Sequence, residues 1–444
     1  MLVKNNINYF YFLFYFLISL VVIYFSPSFF DILENDSLSY INKENIRQSL
    51  YPTLILLFFN NYEFIVIFQI IFLSLSLGLL AISLKIFGLQ QINIFIFLTI
   101  ILFNLYYTSF SKTILTEAIY FSLINISISL FIIKSQLRLA SFSTFFCGVA
   151  IGGIMATKPE GLIITVILGI LYFLKQQNNN KKIIFFVGLI ILPISENIFF
   201  YKYNDVRSSV LDKSITGKIF LMSTLSEQKK YKNLHVENFV RVVSKKSNEV
   251  QKFLANIPNP FLKYNLTADY EVVAQYQMET ILGEDKDILL KIREKKINIL
   301  LNLVKENPLK FLKLTTSNYL AMWMPGGKQI FFDDYMKNSL EPPFFDLLEN
   351  SSGNIMAINK NLLFIVMIFF VGILIVYTFL TLLSLYELFF LKNMKNFDIN
   401  VITILINFHL FIISVINTAT PRYLIPFFPI IIMIMLIRLN KKFK

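Results

Sequence analysis

"NYFYFLFYFLISLVVIYFSPSFFDILENDSLSYINKENIRQSLYP", residues 8–52, begins as an uncharged aromatic and aliphatic run and turns polar after Pro27. The run over 8–26 is long enough to cross a hydrocarbon layer of roughly 30 Å as a helix, the form that pairs every backbone N–H and C=O within its own segment. It exceeds the apolar core of a signal peptide and no small-residue cleavage site follows it, so it reads as a retained first span. Directly beyond it, "NDSLSYINKENIRQSLYP" at 35–52 sets out Asp36, Tyr40 and Arg47 and closes on Tyr51 and Pro52.

The rest of the chain repeats the contrast. Of 444 residues, 56% are hydrophobic and only 16% are charged, against roughly 25% charge in an ordinary soluble domain. Apolar runs recur near 8–26, 62–85, 91–110, 114–133, 139–157, 161–174, 182–200, 361–390, 399–417 and 421–438. The expected fold is therefore an all-α polytopic membrane protein with about ten transmembrane helices. Residues 1–200 form an N-terminal transmembrane region whose first outer loop is about 27–60, 201–360 form a large, mainly helical outer segment, and 361–444 return to the membrane.

The net charge of +13 does not point to nucleic acid, because the cations stand in short clusters between apolar runs. With a cytoplasmic N-terminus, the inner segments carry Lys4, Lys85, Lys134 with Arg138, Lys175 with Lys181 and Lys182, Lys392 with Lys395, and Arg438, Lys441, Lys442 and Lys444. The short outer loops carry only Lys112, Lys158 and Arg422. This distribution follows the positive-inside rule and leaves both termini cytoplasmic.

Chemistry is constrained by what is scarce. Cys147 is the one cysteine, which excludes an intrachain disulfide and a thiolate metal cluster. His235 and His409 are far apart and read as structural. There is no Walker-type loop, HExxH helix or glycine-rich dinucleotide turn. The sequons at Asn35, Asn265 and Asn350 carry little weight, since so short a pattern arises by chance. Within the outer segment, "KDILLKIREKKINILLNLVKENPLKFLKLTTSNYLAMWMP" at 286–325 mixes apolar residues at helical spacing with lysines. It fits helices lying on the membrane face and a soluble two-helix hairpin equally well.

Asp36 and Glu117 are the candidate catalytic residues. Asp36 follows the first span by about ten residues and precedes Tyr40 by one helical turn, a placement in which partial burial tunes a carboxylate as a general base. The alternative is a solvated acidic loop. Glu117 stands at the edge of the fourth span, where an ionisable side chain is costly and by default functional; the bland reading is an acid stabilised by its helix dipole. In the topology above, both emerge on one side and divide base and orienting roles, or bind a divalent cation. Tyr40, Arg47, Lys158 and Arg422 are the candidate substrate-binding residues, the cations suiting a leaving phosphate, with snorkelling anchors as the alternative.

These stretches, in order, resemble the GT-C-type integral membrane glycosyltransferases, in particular the protein O-mannosyltransferase and lipid A aminoarabinose transferase group. "NDSLSYI" followed by "RQSLYPTLILLFF" looks like their first outer loop, "LTEAIYFSL" their second acidic motif and "ATKPEGL" a basic-Pro-Glu-Gly turn. "NPLKFLKLTTSNY" is similar to an amphipathic outer segment, and "TPRYLIPFFPI" to a late Arg-Tyr span. The resemblance implies outer juxtamembrane helices and a polyprenyl-phosphate-linked sugar donor. It also implies inversion at the anomeric carbon and a lipid, glycan or protein acceptor at the outer face of a bacterial inner membrane. It makes Asp36 the base and Glu117 the second acid, with Lys158 and Arg422 as phosphate contacts. A glycan polymerase or ligase, a transporter or lipid-linked glycan flippase, and an inactive assembly partner remain alternatives.

Overall fold

The computed structural model describes residues 2–136, 141–176, 178–207, 210–224, 233–325, 330–331, 341–351, 360–390, 397–416 and 421–442. Arg138, Lys392, Lys395 and Lys444, counted above among the inner charges, lie outside these, as does Ser352 of the third sequon. Among the described residues the regular structure is helical, without strands. Six helices are long and apolar enough to cross a membrane: Tyr62–Phe87, Glu117–Lys134, Asn179–Tyr203, Leu363–Phe389, Phe397–Ile416 and Pro421–Asn440. Shorter apolar helices cover Tyr9–Phe25, Ser141–Thr157 and Pro159–Leu174. The architecture is that of an all-α polytopic membrane protein.

The chain forms two compact units: Met1–Ser208 with Tyr377–His409 and Ile425–Lys444, and Ser209–Val376 with Leu410–Leu424. The first contains α1 (Leu2–Phe25), α2 (Asn35–Ile41), α3 (Leu50–Leu57), α4 (Tyr62–Phe87), α5 (Gln91–Leu102) and α6 (Leu105–Ser109). It continues with α7 (Glu117–Gln136), α8 (Ser141–Thr157), α9 (Leu162–Leu174) and α10 (Asn179–Tyr203). The apolar run expected to form one helix over 91–110 is instead bent by 63° between Leu102 and Leu105. Asn104 is the cause: its backbone leaves helical geometry (ψ 87°) and its side chain accepts a bond from the Tyr107 N–H, capping a fresh helix.

Close helix approach comes from small residues. A Cβ on Gly148 would lie 2.2 Å from Phe185 O, one on Gly188 2.3 Å from Phe145 O, and one on Gly152 2.0 Å from Leu189 O. α8 and α10 therefore meet backbone to backbone, as small-xxx-small stripes permit in lipid. Leu189 O is the carbonyl whose helical N–H partner is removed by Pro193, and the Gly152 Cα–H faces it. Ser74, Ser76 and Ser83 of α4 and Ser122 and Ser129 of α7 are buried and return their hydroxyls to carbonyls on their own helices. The opposite face of α10 leaves Ile183, Phe186, Ile194 and Ile198 exposed, the surface a hydrocarbon solvent covers.

The second unit contains α11 (Val210–Met222), α12 (Leu234–Ala255), α13 (Pro260–Tyr276), α14 (Met278–Leu282), α15 (Ile288–Ile292), α16 (Lys296–Glu306), α17 (Pro308–Met322) and α18 (Phe345–Ser351). α12 buries Val236, Phe239, Val240 and Val243 on one stripe, and Ile299, Leu303 and Leu314 of α16 and α17 join the same core. The 286–325 stretch thus has an inward face, while Ile297, Leu301, Leu309 and Leu312 stay exposed. At its centre Lys218 pairs with Glu271 at 2.8 Å, Asn318 donates to Glu271 at 2.7 Å, and Lys218 also donates to Ser414 O at 3.0 Å. Burial pulls the Lys218 pKa down and the Glu271 pKa up, against the mutual attraction that keeps them paired.

The C-terminal helices are α19 (Lys360–Phe389), α20 (Phe397–Ile416) and α21 (Phe428–Lys442). Inside the first unit their ends are joined by Arg438, which donates to Glu387 at 2.6 Å, to Ser384 at 3.2 Å and to Asn400. Lys175 pairs with Asp398. Cations placed by the charge pattern thus also tie helix ends together. Cys147 is buried, and so is His409, packed against the Phe427 ring, while His235 is exposed.

The glycine contacts grade the expected damage. Gly152→Ala forces a Cβ into a backbone carbonyl and is expected to cost about 3 kcal/mol. Gly153→Ala meets only the tips of Leu123 and Leu192, and Gly372→Ala meets nothing within 4 Å. Thermal unfolding of the detergent-solubilised chain should rank the three in that order; equal melting for Gly152→Ala and wild type contradicts the packing.

Candidate functional site

The loop after α1 folds because its own polar groups close it. Glu34 N–H donates to Ser37 Oγ (2.9 Å) and Asp31 N–H to Glu34 Oε1 (3.2 Å), starting α2 at Asn35. Burial and the neighbouring acids Asp31 and Asp36 raise the Glu34 pKa, opposed by the Asp31 N–H bond. On α2, Asp36 and Tyr40 stand one turn apart, as their spacing predicts. Arg47 returns across both: its Nη2 meets Asp36 Oδ1 at 2.6 Å, its Nε donates to Ser39 Oγ at 2.7 Å, and its guanidinium lies 4.7 Å from the Tyr40 ring centre. The Asp36 side chain keeps 36% of its surface exposed and Arg47 21%. This carboxylate is accessible and its geometry is held by a cation.

Contacts pass from Tyr40 into the span that begins at Glu117. Tyr40 is buried, and its hydroxyl lies 3.2 Å from Thr116 Oγ1, which is 3.4 Å from Glu117 Oε2. Glu117 opens α7 and is 1% exposed; Lys158, just past the end of α8, meets its Oε1 at 2.7 Å. The Lys158 Nζ is 5.7 Å from the centre of the Tyr120 ring. Asp36, Arg47, Tyr40, Thr116, Glu117 and Lys158 therefore form one chain of contacts, drawn from stretches far apart in sequence.

The turn before Glu117 is fixed from several sides. Ile114 N–H donates to Ile32 O at 2.8 Å, and Phe29 N–H to Ser109 Oγ at 2.8 Å. Gln69 of α4 donates to Thr113 O (2.8 Å) and Ser111 O (3.2 Å) and accepts from the Tyr51 hydroxyl at 2.5 Å. Tyr51 crosses Tyr40 edge to face at 5.3 Å. Burial, with Tyr40 and Glu117 nearby, raises its pKa well above the phenol range, so it stays a donor. Lys112, counted above as an isolated outer cation, donates to Tyr24 O at 3.1 Å and to Ser26 O, capping the end of α1.

Arg422 belongs to the second unit, in the short 3₁₀ turn Pro421–Tyr423 beside α17. The sequence reading passed over Gln69, Thr116, Glu196 and Arg207. Glu196 and Gln69 each carried a usable signal, a buried polar side chain inside an apolar run. Arg207 carried none, because its meaning depends on which residues face it.

Among the described residues no three His, Cys, Asp or Glu groups gather as a metal site. Asp36 and Glu117 each face a side-chain cation instead. Chemically the site offers an accessible carboxylate paired with a guanidinium, and a buried ion pair. No family model, curated protein or solved structure matches the chain.

Removing one partner of the Glu117–Lys158 pair strands the other charge in a dry environment. Glu117→Gln and Lys158→Met are each expected to destabilise by about 3–5 kcal/mol, and the double variant to recover much of that. Melting of the three variants measures the coupling; strictly additive losses contradict it.

Proposed function

We propose that the chain is an inverting glycosyltransferase that moves a sugar from a polyprenyl-phosphate donor to an acceptor hydroxyl, with Asp36 as the base. The observation that carries this reading is the continuous contact chain from Asp36 to Lys158. It joins Asp36, Arg47, Glu117 and Lys158, residues the motif reading singles out, by direct side-chain contacts. In this reading the lipid tail of the donor stays in hydrocarbon while its phosphate and sugar meet the solvent-accessible Asp36–Arg47 pair.

In the proposed reaction, Asp36 takes the proton of the acceptor hydroxyl as its oxygen bonds to the anomeric carbon. The bond from that carbon to the phosphate oxygen breaks on the opposite face, inverting the centre and releasing polyprenyl phosphate. Arg47 transfers from Asp36 to the phosphate, freeing the base and neutralising the leaving charge. Glu117 and Lys158, buried, position Thr116 and Tyr40 beneath the substrate. We further propose that the bent pair and the three shorter apolar helices also cross the bilayer, giving ten spans. Both termini are then cytoplasmic, and the site faces the outside of a bacterial inner membrane.

A transporter or lipid-linked glycan flippase is the second reading. It is favoured by Asn125, buried inside a candidate span and donating to Tyr107 and Ser76 on neighbouring helices. In purified wild type, polyprenyl phosphate should be released from at least one polyprenyl-phosphate sugar. Asp36→Asn should reduce release about a thousandfold while leaving the melting temperature near wild type. Undiminished release in that variant removes Asp36 as base; substrate movement across sealed vesicles without covalent change supports the second reading.

A further inference from the structure

Arg47, the cation of the proposed base, sits on the stretch between α2 and α3, and the end of α10 with the residues just beyond it grips that stretch at several points. Glu196, 3% exposed, accepts from Ser49 N–H at 3.0 Å, and Ser49 Oγ returns a bond to Glu196 O at 2.6 Å. Arg207 Nη2 lies 2.9 and 3.0 Å from the Glu196 carboxylate oxygens, while its Nη1 donates to Gln48 Oε1 at 2.8 Å. Its guanidinium packs 4.1 Å from the centre of the Phe200 ring. Asn204 donates to Lys43 O at 3.2 Å, at a residue held in the left-handed region (φ 54°) that a non-glycine side chain disfavours. Lys43 Nζ in turn lies 4.3 Å from the centre of the Tyr203 ring.

Residues 43, 48 and 49 are thus fixed from outside the loop, and Arg47 lies between them. Ser49 also leads into α3, whose second residue is Tyr51, packed edge to face on Tyr40. A carboxylate buried this deeply inside an apolar run is costly unless it is paired and hydrogen-bonded. Here its partners are the backbone of the loop and an arginine from beyond the helix end.

We propose that Glu196 and Arg207 are positioning residues, a clamp that holds the 43–51 segment so that Arg47 and Tyr51 keep their places beside Asp36 and Tyr40. The role of the clamp in turnover rests on the transferase reading; its structural role does not. A held segment lets Arg47 exchange one partner for another without the loop losing its register, which a free loop cannot do.

Hydrogen–deuterium exchange on the full-length protein in detergent separates the two. In Glu196→Gln, amides of 43–52 are expected to exchange at least about tenfold faster, with α4 and α12 unchanged, because charge-assisted bonds to Ser49 and Arg207 are weakened. Arg207→Gln should behave alike. Arg207→Lys, which keeps the charge but cannot reach Glu196 and Gln48 with separate fork nitrogens, should fall between. In parallel, release of polyprenyl phosphate should drop about tenfold in kcat/KM in both glutamine variants, with partial rescue in Arg207→Lys. Exchange unchanged over 43–52, or raised equally everywhere, overturns the clamp. Selective loosening of 43–52 with wild-type turnover overturns its role in catalysis, and loosening in a chain whose wild type releases nothing leaves the clamp standing and removes the transferase.

Discussion

The hydrocarbon interior supplies no water, and the rest of this structure follows from that constraint. Every backbone group within a span must be paired along its own helix, so the chain is helical wherever it is apolar. A polar side chain drawn inside is costly without a partner, and several here have found one. Serines fold back on their own carbonyls, Gln69 divides itself between Tyr51 and the turn before Glu117, and Arg438 gathers Glu387, Ser384 and Asn400. At Glu117, Glu196 and Glu387 the cost of a buried charge is offset by a paired cation.

Under that constraint glycine and proline act as packing devices rather than as interruptions. α10 contains Pro193 and still runs from Asn179 to Tyr203, because the carbonyl that loses its N–H lies against the bare Cα of Gly152. The close pairing of α8 with α10 brings the end of α8, and hence Lys158, into the same unit as the end of α10 that carries Glu196. Lys158 and Glu196 then act at different points of one region. The first fixes the start of α7, and the second fixes the segment that enters α3.

The site is built from pairs rather than from lone groups. Asp36 is set by Arg47, Glu117 by Lys158 and Glu196 by Arg207, and exposure falls from the first carboxylate to the other two. The exposed pair can separate with little penalty, since water compensates both charges. The buried pairs cannot, because separating them leaves a bare charge in a dry setting. The accessible pair and the buried pairs are thereby divided by depth.

What the sequence determined alone is what depends on local composition and spacing. That covers the helical class, the apolar runs, the turn that sets Asp36 and Tyr40 on one face, and the emergence of Glu117 at the start of a helix. These are legible because hydrophobic period and backbone satisfaction act within a segment. The break at Asn104 was legible in principle, since asparagine caps helices, but the 63° angle of the bend appears only in the structure. The pairing of Arg47 with Asp36, of Lys158 with Glu117 and of Arg207 with Glu196 came only from tertiary structure. So did the close approach of Gly152 to Leu189 and the inward face of 286–325. A charge or a glycine takes its meaning from the group opposite it, and which group that is depends on how distant helices pack.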